Sequence, residues 1–362
     1  GADQILRAAA PSQSDFRVHS NLSNVLLTLP DRPSQHVAES LQIYRRWQQV
    51  PATRVEALLE EANFHWGEGN LVDAEQLVAK AQATTPSRDG YLLQLLLIGY
   101  GWSDLPAAKI QIDQLPPGLM QEDVFASLVS GLWLRLGDGA QALEVLNRMP
   151  RDFIGENRQF LPKSLRVGWA HFISGKPLAA AAEWKQGLRV VDERLQSDPN
   201  RAELLRWRAQ LLALVGEKEA ALAAWRLFEE SMPPGRTVSP LTAIEFHCAL
   251  GNRTAAMDLL KSMDQADGRG SNLRLQYDPS FALIRDEPET RRYIAETREH
   301  LAQLRARGPV GESLLRPAPA PVTQGSDKSV AVLAFANLSE DKANEYFSDG
   351  ISEELLNVLA KV

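Results

Sequence analysis

A glycine-containing turn followed a few residues later by an alanine recurs along this chain, and this recurrence restricts the possible folds more than any other feature. In residues 55–86, the pattern predicts a helix, a turn at Gly69, a second helix and a stop at Pro86. Glycine tolerates the left-handed backbone of a tight turn, and proline has no N–H with which to continue a helix. Ala62 and Ala74 are small enough to let the two helices approach closely.

The same residues return down the chain. Alanines equivalent to Ala74 follow at steps of 34, 34, 38, 41 and 35 residues. Five successive returns near one period predict an array of stacked helical hairpins rather than a single hairpin. The residues that define this register are Ala62, Gly69, Ala74, Ala81, Pro86, Ala108, Gly137, Ala142, Gly175, Ala180, Gly216, Ala221, Gly251 and Ala256.

This register resembles the tetratricopeptide repeat, a helix-turn-helix unit of about 34 residues with small side chains at the same places. The resemblance implies an all-α fold in which helical hairpins stack as a right-handed solenoid. It also implies that the first helix of each hairpin lines a concave face, on which a partner would bind.

The array occupies the middle of the chain. Residues 1–50 are interpreted as a leader and a degenerate first repeat, and residues 51–268 as the array proper. Residues 269–307 are interpreted as a capping segment, because Pro288 favours a helix start and the helix that follows, to about Arg307, is densely charged. The apolar residues expected to fill the last groove are Phe281, Leu283 and Ile284.

The composition changes after the cap. Residues 308–328 are rich in proline and alanine and are interpreted as a semi-extended linker. Residues 329–362 then show a β-branched strand signal, a polar loop and a capped amphipathic helix, which together predict the incomplete start of an α/β domain. A single strand cannot satisfy its own backbone, so we expect this domain to continue in a longer protein.

A second resemblance lies in this last segment. The run from Glu345 to Ile351 (EYFSDGI), with the strand before it, resembles the opening of the bacterial TolB-like N-terminal domain. In that family the segment accompanies tetratricopeptide arrays in regulators that begin with a class III adenylate cyclase or a winged-helix DNA-binding domain. The resemblance implies a bacterial regulator, while the sequence does not fix the compartment: the bacterial cytoplasm is favoured and the periplasm is the alternative.

Charge and composition exclude several classes of function. The net charge of −7 argues against general nucleic-acid binding, which needs a basic surface. The most apolar run, residues 91–102, is shorter than the ~20 residues of a membrane-spanning helix, so we expect no span in this chain. The single cysteine, Cys248, excludes an internal disulfide and is expected to be buried as a small apolar residue.

Sequence motifs for catalysis are missing from the chain. It contains no glycine-rich phosphate loop, no HExxH, no G-x-S-x-G and no paired cysteines. We therefore predict a non-enzymatic protein with no catalytic residues, no metal and no cofactor. His65, His171 and His247 occupy the same position in three different repeats, where packing is favoured over metal ligation because the ligands of one ion must converge.

The resemblance places a set of polar and aromatic residues on the concave face. A protein or peptide partner is expected to bind there, in an extended or helical conformation. Packing between repeats is the alternative role for each residue. The candidate partner-binding residues are Asn63, Trp66, Arg135, Trp169, Phe172, Arg206, Gln210 and Glu245.

Two functions follow from these observations. The first is a protein–protein interaction scaffold that holds a peptide or protein segment. The second is a sensory or regulatory region of a larger signalling protein. Repeats of this family that clamp a C-terminal carboxylate use a lysine and, four residues later, an asparagine. Here Leu59 stands in place of the lysine before Asn63, so that mode of binding is not expected.

Overall fold

The computed structural model describes residues 34–155, 160–232, 237–263 and 273–310. The chain divides into two compact units, residues 1–316 and 317–362, and all of the described residues lie in the first. The predicted leader, nearly all of the predicted linker and the TolB-like segment lie outside the described residues.

The described part is helical apart from one short pair of strands. Its α-helices are α1 Ser34–Trp47, α2 Arg54–Gly67, α3 Leu71–Thr84, α4 Arg88–Leu96, α5 Leu105–Asp113, α6 Asp123–Arg135, α7 Gly139–Asn147, α8 Lys163–Ile173, α9 Pro177–Ser197, α10 Ala202–Leu214, α11 Lys218–Glu230, α12 Pro240–Ala249, α13 Arg253–Ser262, α14 Arg274–Tyr277 and α15 Pro288–Arg307. A π-helical turn, Leu97–Gly101, extends α4. The all-α prediction is confirmed for these residues.

Consecutive helices pack as hairpins from α2 to α13. Each of α2, α6, α8, α10 and α12 makes its main contacts with the helix that follows it, and α5 packs on the π-helical turn that extends α4. The first helices also touch one another, as α2 touches α4, α6 touches α8 and α10 touches α12. The helices therefore form a helical-repeat-like architecture of consecutive hairpins, in which the first helices of three pairs of hairpins are in contact.

The turns within the hairpins have the predicted backbone conformation. The five predicted turn glycines have φ between 72° and 90°, the left-handed region that glycine adopts without strain. In the turn between α4 and α5, Ser103 takes this conformation with φ of 52°. The glycine register thus predicts every hairpin turn except this one.

The alanines of the register lie at the helix contacts. Ala74 and its five equivalents are all 0% exposed, and so are Ala62 and Ala81. Glycines also allow close approach of helices. A Cβ on Gly168 of α8 would lie 2.2 Å from Nε1 of Trp184 on α9, which is too close for any larger residue. The stacking of these hairpins therefore depends on positions that have no room for a larger side chain.

The C-terminal capping segment contacts helices farther away along the chain than the sequence predicts. Helix α15 has the predicted bounds, and Phe281 and Ile284 are completely buried, while Leu283 is half-buried. However, α15 also packs against α3, and one apolar core joins α2 and α3 with α12, α13 and α15. The backbone N–H of Val310 donates to Oδ2 of Asp73 at 2.8 Å.

One short pair of strands interrupts the helices. β1 (Phe153–Ile154) and β2 (Leu161–Pro162) form an antiparallel pair that the sequence pattern does not indicate. Two residues per strand are too few to show the alternation that marks a strand in sequence.

Candidate functional site

The first helices of four hairpins line a small, partly open recess, which we call the arginine cavity. Its volume is about 200 Å³, and α6, α8, α10 and α12 line it together with the segment that follows α13. The polar and aromatic residues of its lining are Tyr100, Arg135, Arg166, Trp169, Arg206, Trp207, Glu245, Arg274 and Asp278. Four of these side chains are guanidinium groups and two are carboxylates, so the lining carries an excess of two positive charges.

Arg135 is held tightly on one wall of the cavity. Its Nη1 donates to the carbonyl of Gly99 at 3.1 Å, and its guanidinium carbon lies 3.8 Å from the ring centre of Tyr100. Its Nε is 3.9 Å from Oδ2 of Asp278. Burial lowers the pKa of Arg135 from its usual value, but an arginine remains charged at any physiological pH.

Asp278 is the main counter-charge of the cavity. Its Oδ2 accepts from Nη2 of Arg274 at 3.2 Å, and its Oδ1 accepts from the backbone and hydroxyl of Ser280. Burial alone would raise the pKa of Asp278, but the charges of Arg274, Arg135 and Arg166 outweigh burial and hold that pKa well below its usual value. Asp278 is therefore ionised throughout the physiological range.

Glu245 is shared between two arginines. Its Oε2 lies 3.5 Å from Nη2 of Arg206 and 3.5 Å from Nη2 of Arg274, and neither contact is a hydrogen bond. Arg206 also lies over the ring of Trp207, with 4.3 Å from its guanidinium carbon to the ring centre. Burial lowers the pKa of Arg206, and the charge of Glu245 opposes this effect.

Arg166 differs from the other three arginines. No carboxylate lies within 4 Å of its guanidinium among the described residues. Its side chain lies instead across Gly131 of α6, where a Cβ would meet Nη1 of Arg166 at 2.8 Å. The glycine thus makes room for a charged side chain that forms no ion pair within 4 Å in the described part of the chain and interacts with Asp278 only at longer range.

A second recess lies between α2 and α4, and we call it the α2–α4 groove. Its volume is about 530 Å³. The apolar residues of its lining are Ala52, Val55, Leu59, Trp66, Leu92, Leu93 and Leu96, and the polar ones are Glu56, Glu60, Asn63, Ser87 and Asp89. The groove is therefore apolar along its length and carries three carboxylates.

The predicted partner-binding residues divide between these two recesses. Asn63 and Trp66 lie in the α2–α4 groove. Those in the arginine cavity are Arg135, Trp169, Arg206 and Glu245. Gln210 and Phe172 line neither recess. Gln210 is buried with an unbonded amide nitrogen, and Phe172 is 44% exposed with its ring 5.5 Å from that of Trp169.

Sequence reasoning missed five of the polar and aromatic lining residues of the arginine cavity, Tyr100, Arg166, Trp207, Arg274 and Asp278. Arg166 and Trp207 each fall one residue off the helical positions expected to face inward. Tyr100 lies in the π-helical turn, which shifts the facing of α4 relative to a regular helix. Arg274 and Asp278 belong to the capping segment, which packs against α12 and so brings them to the cavity.

The three aligned histidines lie on separate hairpins. His65 is buried against Glu61, with 3.7 Å from its Nε2 to Oε1 of that carboxylate. Within the described ranges, no three histidine, cysteine, aspartate or glutamate side chains are grouped so that they could hold a metal ion. Cys248 is buried as expected, and burial raises the pKa of its thiol to about 12, so the thiol is not ionised at neutral pH.

Comparisons with known proteins add no assignment. Among the helices that the structure describes, none combines the length and the apolar character needed to cross a bilayer. No family model matches the sequence, and no curated protein matches it significantly.

Proposed function

We propose that this chain is a non-enzymatic scaffold that binds a segment of a partner protein in the α2–α4 groove. The observation that carries the proposal is the groove itself, a recess of about 530 Å³ between the first helices of two consecutive hairpins. Apolar lining with a few fixed polar groups is typical of sites that take a peptide or a small ligand. The resemblance of the repeats to the tetratricopeptide family supports the same function.

The charge of the groove defines the partner segment. Glu56, Glu60 and Asp89 add negative charge to an apolar lining, and Arg88 offsets part of it by pairing with Asp89 at 2.8 Å. A segment that combines leucine or aromatic side chains with lysine or arginine would match both properties. The exposed amide of Asn63 can bond to the backbone of such a segment.

Selection of random peptides displayed on phage against the full chain tests this proposal. We expect the selected peptides to combine basic and apolar residues, and Glu56→Lys to weaken their binding at least tenfold by reversing a charge of the groove. Glu75→Lys is the matched control, because Glu75 is exposed on α3, outside the groove lining. If the peptides bind the Glu56→Lys and Glu75→Lys variants equally well, the assignment of the groove is contradicted.

The second candidate is a sensory or regulatory region of a larger signalling protein, as the TolB-like resemblance implies. The observation that favours it is the arginine cavity, which is too small for a peptide segment but large enough for a compact ligand. The test is to extend the reading frame beyond both ends of this sequence. A cyclase or winged-helix domain encoded there would support this candidate.

A further inference from the structure

Within the described residues, the charges of the arginine cavity are not balanced. Arg135 and Glu245 are buried and the other four charged side chains are half-buried, and a charge that loses hydration is normally paired in a folded protein. Here Asp278 pairs with Arg274 and Arg135, and Glu245 pairs with Arg206 and Arg274. Arg166 forms no ion pair within 4 Å in the described residues and is attracted by Asp278 only at longer range, so the lining keeps an excess of two positive charges.

Unused hydrogen-bond donors accompany the excess charge. A guanidinium carries five N–H donors. Among the described residues, the guanidinium groups of Arg166 and Arg206 donate no hydrogen bond, and the buried Nε of Arg274 has no acceptor. The lining of the cavity therefore includes donors on three arginines that have no acceptor in the described part of the chain.

Two of the arginines, Arg135 and Arg206, are also held in place before any ligand binds. Arg135 is held by the ring of Tyr100 and the carbonyl of Gly99, and Arg206 by the ring of Trp207. A site with preorganised donors binds more tightly, because little side-chain freedom remains to be lost. The cavity volume of about 200 Å³ is below the roughly 300–1,000 Å³ of ordinary ligand pockets, so the ligand must be compact.

We propose that the arginine cavity binds a phosphate group, held by Arg166 and Arg206. The phosphoryl group of a phosphomonoester carries about 1.5 to 2 negative charges at neutral pH, and inorganic phosphate is a mixture of monoanion and dianion, so both are close to the excess of two. Its oxygens accept paired hydrogen bonds from arginine in a planar fork geometry. The group is either free inorganic phosphate or the phosphoryl group of a small phosphomonoester. The proposal uses none of the residues of the α2–α4 groove and so is independent of the proposed function.

Thermal unfolding and calorimetric titration of the full chain with sodium phosphate, at constant ionic strength, test the proposal. We expect the melting temperature to rise with phosphate concentration and to follow the binding isotherm. Arg166→Gln is expected to weaken phosphate binding at least tenfold. Without phosphate, the same variant is expected to be as stable as the wild type or more so, because Arg166 faces like charges and has no ion pair.

This combination separates binding from a structural role. If Arg166 only supported the fold, Arg166→Gln would lower the melting temperature without phosphate and leave the phosphate-dependent rise intact, which would overturn the proposal. Arg226→Gln is the matched control, because Arg226 is exposed on α11, and it should respond to phosphate as the wild type does. A wild-type chain that does not respond to phosphate would also overturn the proposal.

Two further titrations identify the source of the phosphate group. Tighter binding of O-phosphoserine or adenosine monophosphate than of inorganic phosphate would support the proposal and assign a phosphomonoester. Equal or tighter binding of inorganic phosphate would support it and assign the free ion. Glu56→Lys should leave all of these titrations unchanged, so failure of the groove proposal does not affect this result.

Discussion

Asp278→Asn is expected to lower the free energy of unfolding by about 3–5 kcal/mol, the usual effect of removing one partner from a buried ion pair. The substitution leaves Arg274 and Arg135 without their shared carboxylate. Asparagine has nearly the same shape and keeps an oxygen that can accept from Ser280, so the loss reports on the charge. Denaturant titration of both proteins measures the difference.

The control is Asp286→Asn. Asp286 pairs with Arg291 at 3.5 Å, but its side chain is 86% exposed, so the pair is screened by solvent. We expect a change below about 1 kcal/mol, as for other surface ion pairs. Equal losses in the two variants would show that Asp278 does not act as a buried counter-charge.

The carboxylate of Asp278 also contributes to the loss of folding stability at acidic pH. Because the folded-state pKa of Asp278 is below its unfolded value of about 4, its contribution to stability is fully present above pH 4 and is lost as the pH falls below it. The wild type should therefore lose more stability than Asp278→Asn between neutral pH and strong acid.

Phe281→Ala is expected to lower the free energy of unfolding by about 3–5 kcal/mol, the usual range for a fully buried aromatic side chain. Phe281 is 0% exposed and belongs to the apolar core that joins the first hairpin with α12, α13 and α15. Its ring also lies 5.5 Å from the guanidinium carbon of Arg274. The variant thus removes the residue that fixes the capping segment beside the arginine cavity.

Phe172→Ala is the matched control for this variant. Phe172 is 44% exposed and contacts Trp169 and Trp184 with part of its ring. We expect a loss of about 1 kcal/mol, because only half of the apolar surface is withdrawn from water. A loss at Phe281 no larger than the loss at Phe172 would mean that the capping segment does not close the array.

The local features of the fold could be predicted from the sequence. The helix pairs, the turn glycines and the buried alanines leave a residue-by-residue pattern, because each depends on neighbours within one hairpin. Pro288 likewise predicts the start of α15 from local geometry alone. Ser103 shows the limit of such reasoning, since a turn can use the left-handed conformation without a glycine.

The long-range features could not be predicted in this way. The contact of α15 with α3 joins segments more than two hundred residues apart, and no local pattern records it. Arg274 and Asp278 enter the arginine cavity because the capping segment packs against α12. The inward positions of Arg135 and Arg206 were predictable from the repeat, but their common cavity and its excess charge were not.

The positions of both recesses and of the capping segment depend on one feature of the fold: the hairpins pack together at alanines that have no free space around them. Ala221→Leu tests the claim most directly, with Ala223→Leu as the control on the same helix. Ala221 is 0% exposed, whereas Ala223 faces solvent on α11. We predict that Ala221→Leu lowers the free energy of unfolding by about 1–3 kcal/mol while Ala223→Leu changes it by less than about 0.5 kcal/mol. Equal effects of the two substitutions would contradict the account.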